Sequence, residues 1–209
     1  MGSESVAAHA NKSIDERILA AAREAFLSMP YERVSLRSVC AKAGVTTGAF
    51  YIRYRNKEEL FEALVTPALE YIDQLSAERE SYSYGLLEQG VPGKVWDTTA
   101  QVQRGIMNDL YDRFEPIQLL FFRAAGTKYE NYLHQFVEDV TRRSAALVSA
   151  VSQRGMSNVL VDEDELHMLM TAYWATMLEP IAHGLSRERA LQHSDVVARL
   201  FDWQKVLGY

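Results

Sequence analysis

The sequence predicts an all-α fold, and two observations carry this prediction. Apolar residues recur at spacings of three and four positions, and no run alternates apolar and polar residues as a half-buried strand would. Four segments also begin with a residue that can cap a helix, followed three positions later by glutamate. These pairs are Ser13 with Glu16, Asn56 with Glu59, Thr127 with Glu130 and Asp162 with Glu165.

The composition excludes several classes of protein. A chain of 209 residues with 48% apolar and 24% charged residues can bury an ordinary globular core, and 11 glycines and five prolines are too few for a collagen-like or Pro/Gly-rich disordered chain. The most apolar stretch, Ile117–Ala125, is too short to span a membrane, and Met1–Lys12 lacks the apolar segment of a signal peptide. The single cysteine, Cys40, excludes an internal disulfide. We therefore expect a soluble, cytoplasmic protein.

The first helix is predicted from Ser13 to about Met29, where Pro30 follows. A long helix is predicted from Asn56 to about Glu80. The apolar residues of the first helix form a single stripe, made of Ile14, Ile18, Ala22, Ala25 and Phe26.

The long helix contains Pro67, which removes one backbone hydrogen bond and costs about 3 kcal/mol unless the helix bends. We therefore expect a kink there. Residues Ser81–Lys94 hold three glycines and Pro92 and are expected to form a long loop. Further helices are predicted at residues 95–113, 116–125, 128–153, 163–184 and 187–207.

Residues 35–54 (SLRSVCAKAGVTTGAFYIRY) predict two short helices joined by a turn. Ser35 can cap the first helix, Gly44 permits a positive φ, and Thr46 can cap the second helix. Such a pair is a helix-turn-helix, whose second helix is suited to the major groove of DNA. The buried side of the first helix is expected to be Leu36, Val39, Cys40 and Ala43.

The charge distribution agrees with a DNA-binding segment. The net charge is −6, yet residues 33–57 hold six basic residues and no acidic one. Residues 61–209 hold 13 basic and 21 acidic residues. A basic segment attached to an acidic body is typical of a DNA-binding domain with a separate partner domain.

This segment resembles the amino-terminal domain of the TetR family of bacterial transcriptional regulators. Arg53, Tyr54 and Arg55 depart from the residues common in the family, and this leaves the base preference open. The resembling pieces are Val34–Arg37 (VSLR), Ala41–Val45 (AKAGV), Gly48–Tyr51 (GAFY) and Asn56–Leu60 (NKEEL).

Contacts to DNA follow from side-chain chemistry and from the resemblance. Hydroxyls at helix starts suit phosphate, and small side chains with Ile52 suit base edges and thymine methyl groups. The resemblance implies that Tyr51 and Lys57 contact phosphate. A surface aromatic at Tyr51 and solvated charges at Lys57, Arg53 and Arg55 are the alternatives. The predicted set is Ser35, Arg37, Thr46, Thr47, Gly48, Ala49, Tyr51, Ile52, Arg53, Arg55 and Lys57.

The last two predicted helices are apolar over wide faces, which indicates either a subunit interface or a monomer core. The resemblance implies that these helices form a four-helix bundle in a homodimer. A dimer would place two recognition helices roughly 34–36 Å apart on a palindromic operator.

The resemblance also implies a pocket for a small effector, for which an apolar or aromatic molecule is the expected class. Ordinary core packing of the same residues is the alternative. Phe136 and the polar side chains Asn108 and His134 are further candidates. The predicted lining is Trp96, Gln103, Met107, Tyr111, Phe114, Phe121, Phe122, Tyr129, Tyr132 and Trp174.

No catalytic or metal-binding pattern is recognisable, and we expect neither a cofactor nor a bound metal. We expect a flexible arm at residues 1–12, a helix-turn-helix DNA-binding domain at residues 13–60 and a helical effector-binding and dimerisation domain at residues 61–209. The leading hypothesis is a dimeric repressor that an effector releases from DNA through movement at Pro67. The alternatives are a ligand-sequestering protein without operator specificity and an enzyme in the helical domain.

Overall fold

The all-α prediction is confirmed. The computed structural model describes residues 13–157 and 161–208, and within these ranges every regular element is a helix. The arm predicted at residues 1–12 lies outside the described residues, as does Tyr209. The helices are α1 (Ile14–Ser28), α2 (Leu36–Ala43), α3 (Thr47–Tyr51), α4 (Lys57–Glu88), α5 (Ala100–Asp112), α6 (Phe114–Phe122), α7 (Tyr132–Gln153), α8 (Glu163–Ala182), α9 (Arg187–Leu200) and α10 (Trp203–Val206), with 3-10 turns at Tyr31–Arg33 and Pro92–Trp96.

The chain divides into two compact units. The first contains the residues up to Leu69 and the segment Glu115–Asn131. The second contains Glu70–Phe114 and the chain from Tyr132 onward. Helices α4 and α6 each contribute residues to both units. The functional boundary expected after residue 60 stays a prediction.

The core of the first unit forms around α1. The hydroxyl of Ser13 accepts a hydrogen bond from the Glu16 N–H (3.2 Å), and the Glu16 carboxylate accepts one from the Ser13 N–H (2.7 Å), which completes the predicted capping box. Phe26 lies edge-on to Phe61 with ring centroids 5.2 Å apart. Ile18, Ala22 and Phe26 are buried, whereas Ile14 and Ala25 of the predicted stripe are only partly covered.

The segment Glu115–Asn131 completes this unit through one charged cluster. The Glu62 carboxylate accepts hydrogen bonds from the Lys128 ammonium (2.7 Å) and from the Tyr129 hydroxyl (3.0 Å). These bonds lower the pKa of Glu62. Helix α4 is therefore tied to a segment far away in the sequence.

Three predicted boundaries are wrong. Helix α4 continues through most of the expected loop, because Leu86 and Leu87 are buried and their burial outweighs the helix cost of Gly85. Thr127 does not begin a helix; its hydroxyl donates to the Ala124 carbonyl (2.7 Å) in a turn, and α7 begins at Tyr132.

The third wrong boundary is in the last predicted helix, which stops at Leu200. Asp202 then caps a separate short helix by accepting a hydrogen bond from the Lys205 N–H (3.1 Å). The cap predictions at Asn56 and Asp162 are confirmed, because each side chain accepts a hydrogen bond from the N–H of the glutamate three positions later (2.8 Å in both cases).

The second unit packs α5 against α9 and α7 against α8. Its buried polar link is the Tyr173 hydroxyl, which donates to the side-chain oxygen of Gln103 (2.8 Å). At the edge of the same packing, Arg104 forms an ion pair with Asp195. These contacts link α5 to both α8 and α9.

Candidate nucleic-acid interface

Helices α2 and α3 form the predicted helix-turn-helix, joined by a turn at Gly44. Gly44 has φ 64° and ψ 38°, the left-handed region that favours glycine. The Val45 N–H donates to the Cys40 carbonyl (3.0 Å), which closes the end of α2. The Gly44 carbonyl accepts a hydrogen bond from the Arg17 guanidinium (3.4 Å), so α1 also supports the turn.

One side of this helix pair is buried. Val39, Cys40 and Ala43 of α2 are covered, and Phe50 of α3 has no exposed surface. Burial raises the pKa of the Cys40 thiol. These side chains anchor both helices to the core of the first unit.

The other side of α3 is open. Thr46 caps the helix by accepting a hydrogen bond from the Ala49 N–H (3.1 Å), as predicted. Thr47 and Gly48 in its first turn are exposed. Tyr51 is 57% exposed and Ile52 is 82% exposed, which is unusual for side chains of this size. The short helix therefore presents small side chains followed by two large ones.

Ser35 stands at the start of α2, but the prediction that it caps the helix is wrong. Its side chain makes no capping hydrogen bond within the described residues, and it is exposed. Arg37, in the first turn of α2, is exposed as well. A hydroxyl and a guanidinium are thus available beside α3 for an external acceptor.

The basic residues of this segment are less free than their number suggests. Lys42 is paired with Glu24, and the Arg53 Nε lies 2.7 Å from the Asp15 carboxylate. Another Arg53 nitrogen donates to the Ala49 carbonyl (3.2 Å), which ties it to α3. Arg53 is consequently held within the first unit.

Arg55 differs from Arg53 in its exposure. Its side chain is 86% exposed and its Nε lies 3.1 Å from the Glu59 carboxylate. The Arg55 backbone N–H donates to the same carboxylate (2.6 Å), and together these bonds lower the pKa of Glu59. An ion pair this exposed is weak, so the Arg55 guanidinium can exchange Glu59 for a phosphate.

Lys57 has a role that the sequence did not indicate. Its ammonium donates to three backbone carbonyls, those of Tyr31 (2.7 Å), Glu32 (3.3 Å) and Val34 (3.3 Å). It also lies 4.3 Å from the centroid of the Tyr31 ring. Three acceptors use all three donors of the ammonium. The phosphate contact implied by the resemblance stays a prediction, and it would compete with these bonds.

The second unit contains a cavity of about 550 Å³. Three residues of the predicted effector pocket line it, namely Trp96, Gln103 and Trp174, together with Phe136. The structure does not bring the other seven into this lining. Met107, Tyr111, Phe114 and Tyr132 lie elsewhere in the second unit, and Phe121, Phe122 and Tyr129 lie in the first.

Several lining residues were missed because they were assigned to other roles. Arg79 lies near the end of the predicted long helix and Ser83 in the predicted loop. Tyr173 lies in the helix predicted at residues 163–184, whose wide apolar face is interpreted as a subunit interface or a core. Helical periodicity identifies a buried face but not whether it borders a cavity or a neighbouring helix. The continuation of α4 to Glu88 is the signal that would have found the first two.

Two further features are absent from the described ranges. No group of three His, Cys, Asp or Glu side chains there could hold a metal ion. No helix there is long and apolar enough to cross a membrane.

Comparisons with known proteins agree with this architecture. The family described as "Bacterial regulatory proteins, tetR family" matches residues 18–64. A transcriptional regulator (TerR/AcrR family) from Aquifex aeolicus VF5 superposes with a TM-score of 0.56 at 18% identity, covering 90% of this chain and 99% of the other. A member of the TetR transcriptional regulator family from Streptomyces coelicolor A3 gives 0.56 at 20% identity, with 90% of each chain covered.

Proposed function

Because this chain belongs, through its amino-terminal domain, to the TetR family of bacterial transcriptional regulators, we propose that it is a homodimeric repressor. It binds a palindromic DNA operator with α3 and is released by a small apolar or aromatic effector. The observation that carries this proposal is the exposed side of α3, a helix that the fully buried Phe50 anchors to the core.

The open side of α3 suits the major groove in a specific way. Thr47, Gly48 and Ala49 are small enough to let the backbone approach the base edges, and Ile52 offers only methyl groups. Such side chains discriminate bases chiefly through contact with the thymine methyl. We therefore expect half-sites in which thymine occupies the position facing Ile52.

Phosphate contacts come from the groups that border α3. Ser35 and Arg37 are exposed at the start of α2, and Tyr51 and Arg55 are exposed beyond the turn. These residues position the protein on the duplex without reading its sequence. Arg53 contributes by fixing α3 through the Ala49 carbonyl.

Residual exposed apolar side chains support the homodimer. Most of the wide apolar face predicted on the last helices is buried within the second unit, including Tyr173 and Met177. Met168, Val196 and Leu200 remain 58%, 48% and 66% exposed, on α8 and α9. Large apolar side chains exposed together are typical of an interface. A Leu200→Asp variant should be monomeric in sedimentation while keeping its helical content.

The cavity supports effector control. Its aromatic lining suits a small apolar molecule, and a bound effector changes DNA affinity only if it favours the conformation that does not fit the operator. Helix α4, which contains Pro67, contributes to both units and is the element we assign to the coupling. Pro67→Ala should weaken release by the effector.

Selection from a random double-stranded DNA library tests operator binding. The purified protein should retain a palindromic sequence, and Tyr51→Phe with Arg37→Gln should weaken that retention. Arg154→Gln, which removes an exposed positive charge after α7, is the matched control. Retention that is uniform across sequences and disappears at about 0.2 M salt reflects phosphate attraction alone. That result would favour the ligand-sequestering alternative.

A further inference from the structure

The cavity of the second unit has an unusual concentration of aromatic side chains. All three tryptophans of the chain, Trp96, Trp174 and Trp203, line it, together with Phe136 and Tyr173. Phe136 and Trp174 lie edge-to-face with centroids 4.8 Å apart, and Tyr173 contacts both Trp174 and Trp203. Walls of this kind suit a flat, apolar ring.

Two hydrogen-bond donors in this wall lack acceptors. The indole N–H groups of Trp96 and Trp174 are buried and have no hydrogen-bond partner among the described residues. Trp96 as a whole is only 8% exposed. A buried donor without an acceptor costs about 1–3 kcal/mol, and a ligand oxygen would recover part of that cost.

The charged side chains of the lining leave further donors available. Asp139 is shared by Arg142 and Arg143, so one carboxylate serves two guanidinium groups. Arg79 of α4 forms no ion pair with any described carboxylate. Its positive charge acts on the Tyr173 hydroxyl, where it opposes the rise in pKa that burial causes.

The acceptors of the lining are mostly occupied. The Gln103 side-chain oxygen accepts from Tyr173, and Asp97 accepts from the Thr99 N–H (2.9 Å). Glu80, which follows Arg79 in sequence, and Asp97 are exposed lining carboxylates, and they are the groups that would favour a cation. Among the described residues, the buried lining atoms without a hydrogen-bond partner are therefore both donors.

We propose that the cavity binds an aromatic acid, a planar apolar ring that carries a carboxylate or a similar anionic oxygen group. The ring stacks among the aromatic side chains, and the anionic group binds Arg79. This inference rests on the proposed function only in identifying the ligand as the effector; the chemistry of the cavity is independent of DNA.

The tryptophans make the test direct, because all three line the cavity and selectively excited tryptophan fluorescence of the full-length protein therefore reports on it. Three probes of the same shape separate the chemistries: para-tert-butylbenzoate, para-tert-butylbenzylammonium and tert-butylbenzene. We expect the benzoate to change the fluorescence and to bind at least about tenfold more tightly than the other two, a difference of about 1.4 kcal/mol. Calorimetric titration provides the second readout.

Two matched pairs of variants locate the contacts. Arg79→Gln should weaken the benzoate about fivefold and leave tert-butylbenzene unchanged, whereas Arg154→Gln, outside the cavity, should change neither. Trp96→Phe keeps a ring but removes an indole donor and should weaken the benzoate more than Trp203→Phe does. Circular dichroism of each variant confirms that it is folded.

Tighter binding of the ammonium probe would overturn the proposal and assign the cavity to cations through Glu80 and Asp97. Equal binding of all three probes, or binding of none, would overturn it as well. Operator selection is carried out without any probe, so its outcome does not depend on the probe titrations. Failure of the aromatic-acid inference can therefore be distinguished from failure of the proposed function.

Discussion

The helix-turn-helix and the cavity place their large side chains in opposite ways. Around α3 the small side chains and Ile52 are exposed, while Phe50 anchors the helix from behind. In the cavity the large aromatic side chains form the wall and the charged groups border it. The helix-turn-helix therefore presents an exposed surface, whereas the cavity encloses a space.

The two sites also differ in how the sequence builds them. The helix-turn-helix is contiguous, and each of its local features depends on residues a few positions away. The cavity draws residues from α4, α5, α7 and α8. Local rules therefore predict the geometry of the first site, whereas the second depends on tertiary packing.

Of the substitutions predicted below, removal of the buried Phe50 ring behind α3 should have the largest effect on the free energy of unfolding. Phe50→Ala leaves a cavity behind the helix and should lower the free energy of unfolding by about 3–5 kcal/mol. Chemical denaturation measures the loss, and operator binding should disappear with it. A stability near that of the wild type would show that α3 is held by other contacts.

Lys57→Met separates the structural role of this ammonium from a phosphate contact. We expect a loss of about 2 kcal/mol in unfolding free energy, because three carbonyls lose a charged donor. Lys205→Met, at an exposed lysine, is the control and should change stability little. If Lys57→Met instead leaves stability intact and reduces only DNA affinity, the phosphate role is the correct one.

Two glycine substitutions should change stability in opposite directions. Gly44→Ala places a side chain at φ 64° and should destabilise the protein by about 1–2 kcal/mol. Gly85→Ala lies inside α4 with open space around it and should stabilise by about 0.5–1 kcal/mol. Thermal unfolding of both variants checks the signs. Destabilisation by Gly85→Ala would contradict the continuation of α4.

The smallest expected effect on folding is at Ile52. Since this side chain is 82% exposed, Ile52→Ala should leave unfolding unchanged. It should weaken operator binding by about 1 kcal/mol, and replacement of the facing thymine by deoxyuridine should then cost nothing further. Additive losses from the two changes would show that Ile52 does not contact that methyl group.

The sequence predicted the parts of the fold that depend on local chemistry. The caps at Ser13, Asn56 and Asp162 are confirmed because a side-chain acceptor and a free N–H meet within one turn. The same pattern at Thr127 failed because its hydroxyl accepts a hydrogen bond from the Tyr129 N–H (3.0 Å) instead of the Glu130 N–H, within a turn. A capping pattern is therefore not sufficient for a helix start, and α2 shows that a helix can begin without a side-chain cap.

The site residues show the same limit. The exposure of Tyr51 agrees with the helical period, because Tyr51 follows the buried Phe50 by one position and so lies off its face of the helix. No spacing rule could reveal that Lys57 binds the carbonyls of a turn 23 to 26 residues earlier. Nor could it separate Trp96, which lines the cavity, from Met107, which is plain core.

The two-segment composition of the first unit has a consequence for its synthesis. Residues 115–131 leave the ribosome only after the whole of α4 and α5, so the unit that carries the helix-turn-helix cannot complete its core until then. Before that point Glu62 has neither Lys128 nor Tyr129 as a partner. A fragment ending at Leu69 would stop in this same incomplete state, and the nascent chain must pass through it.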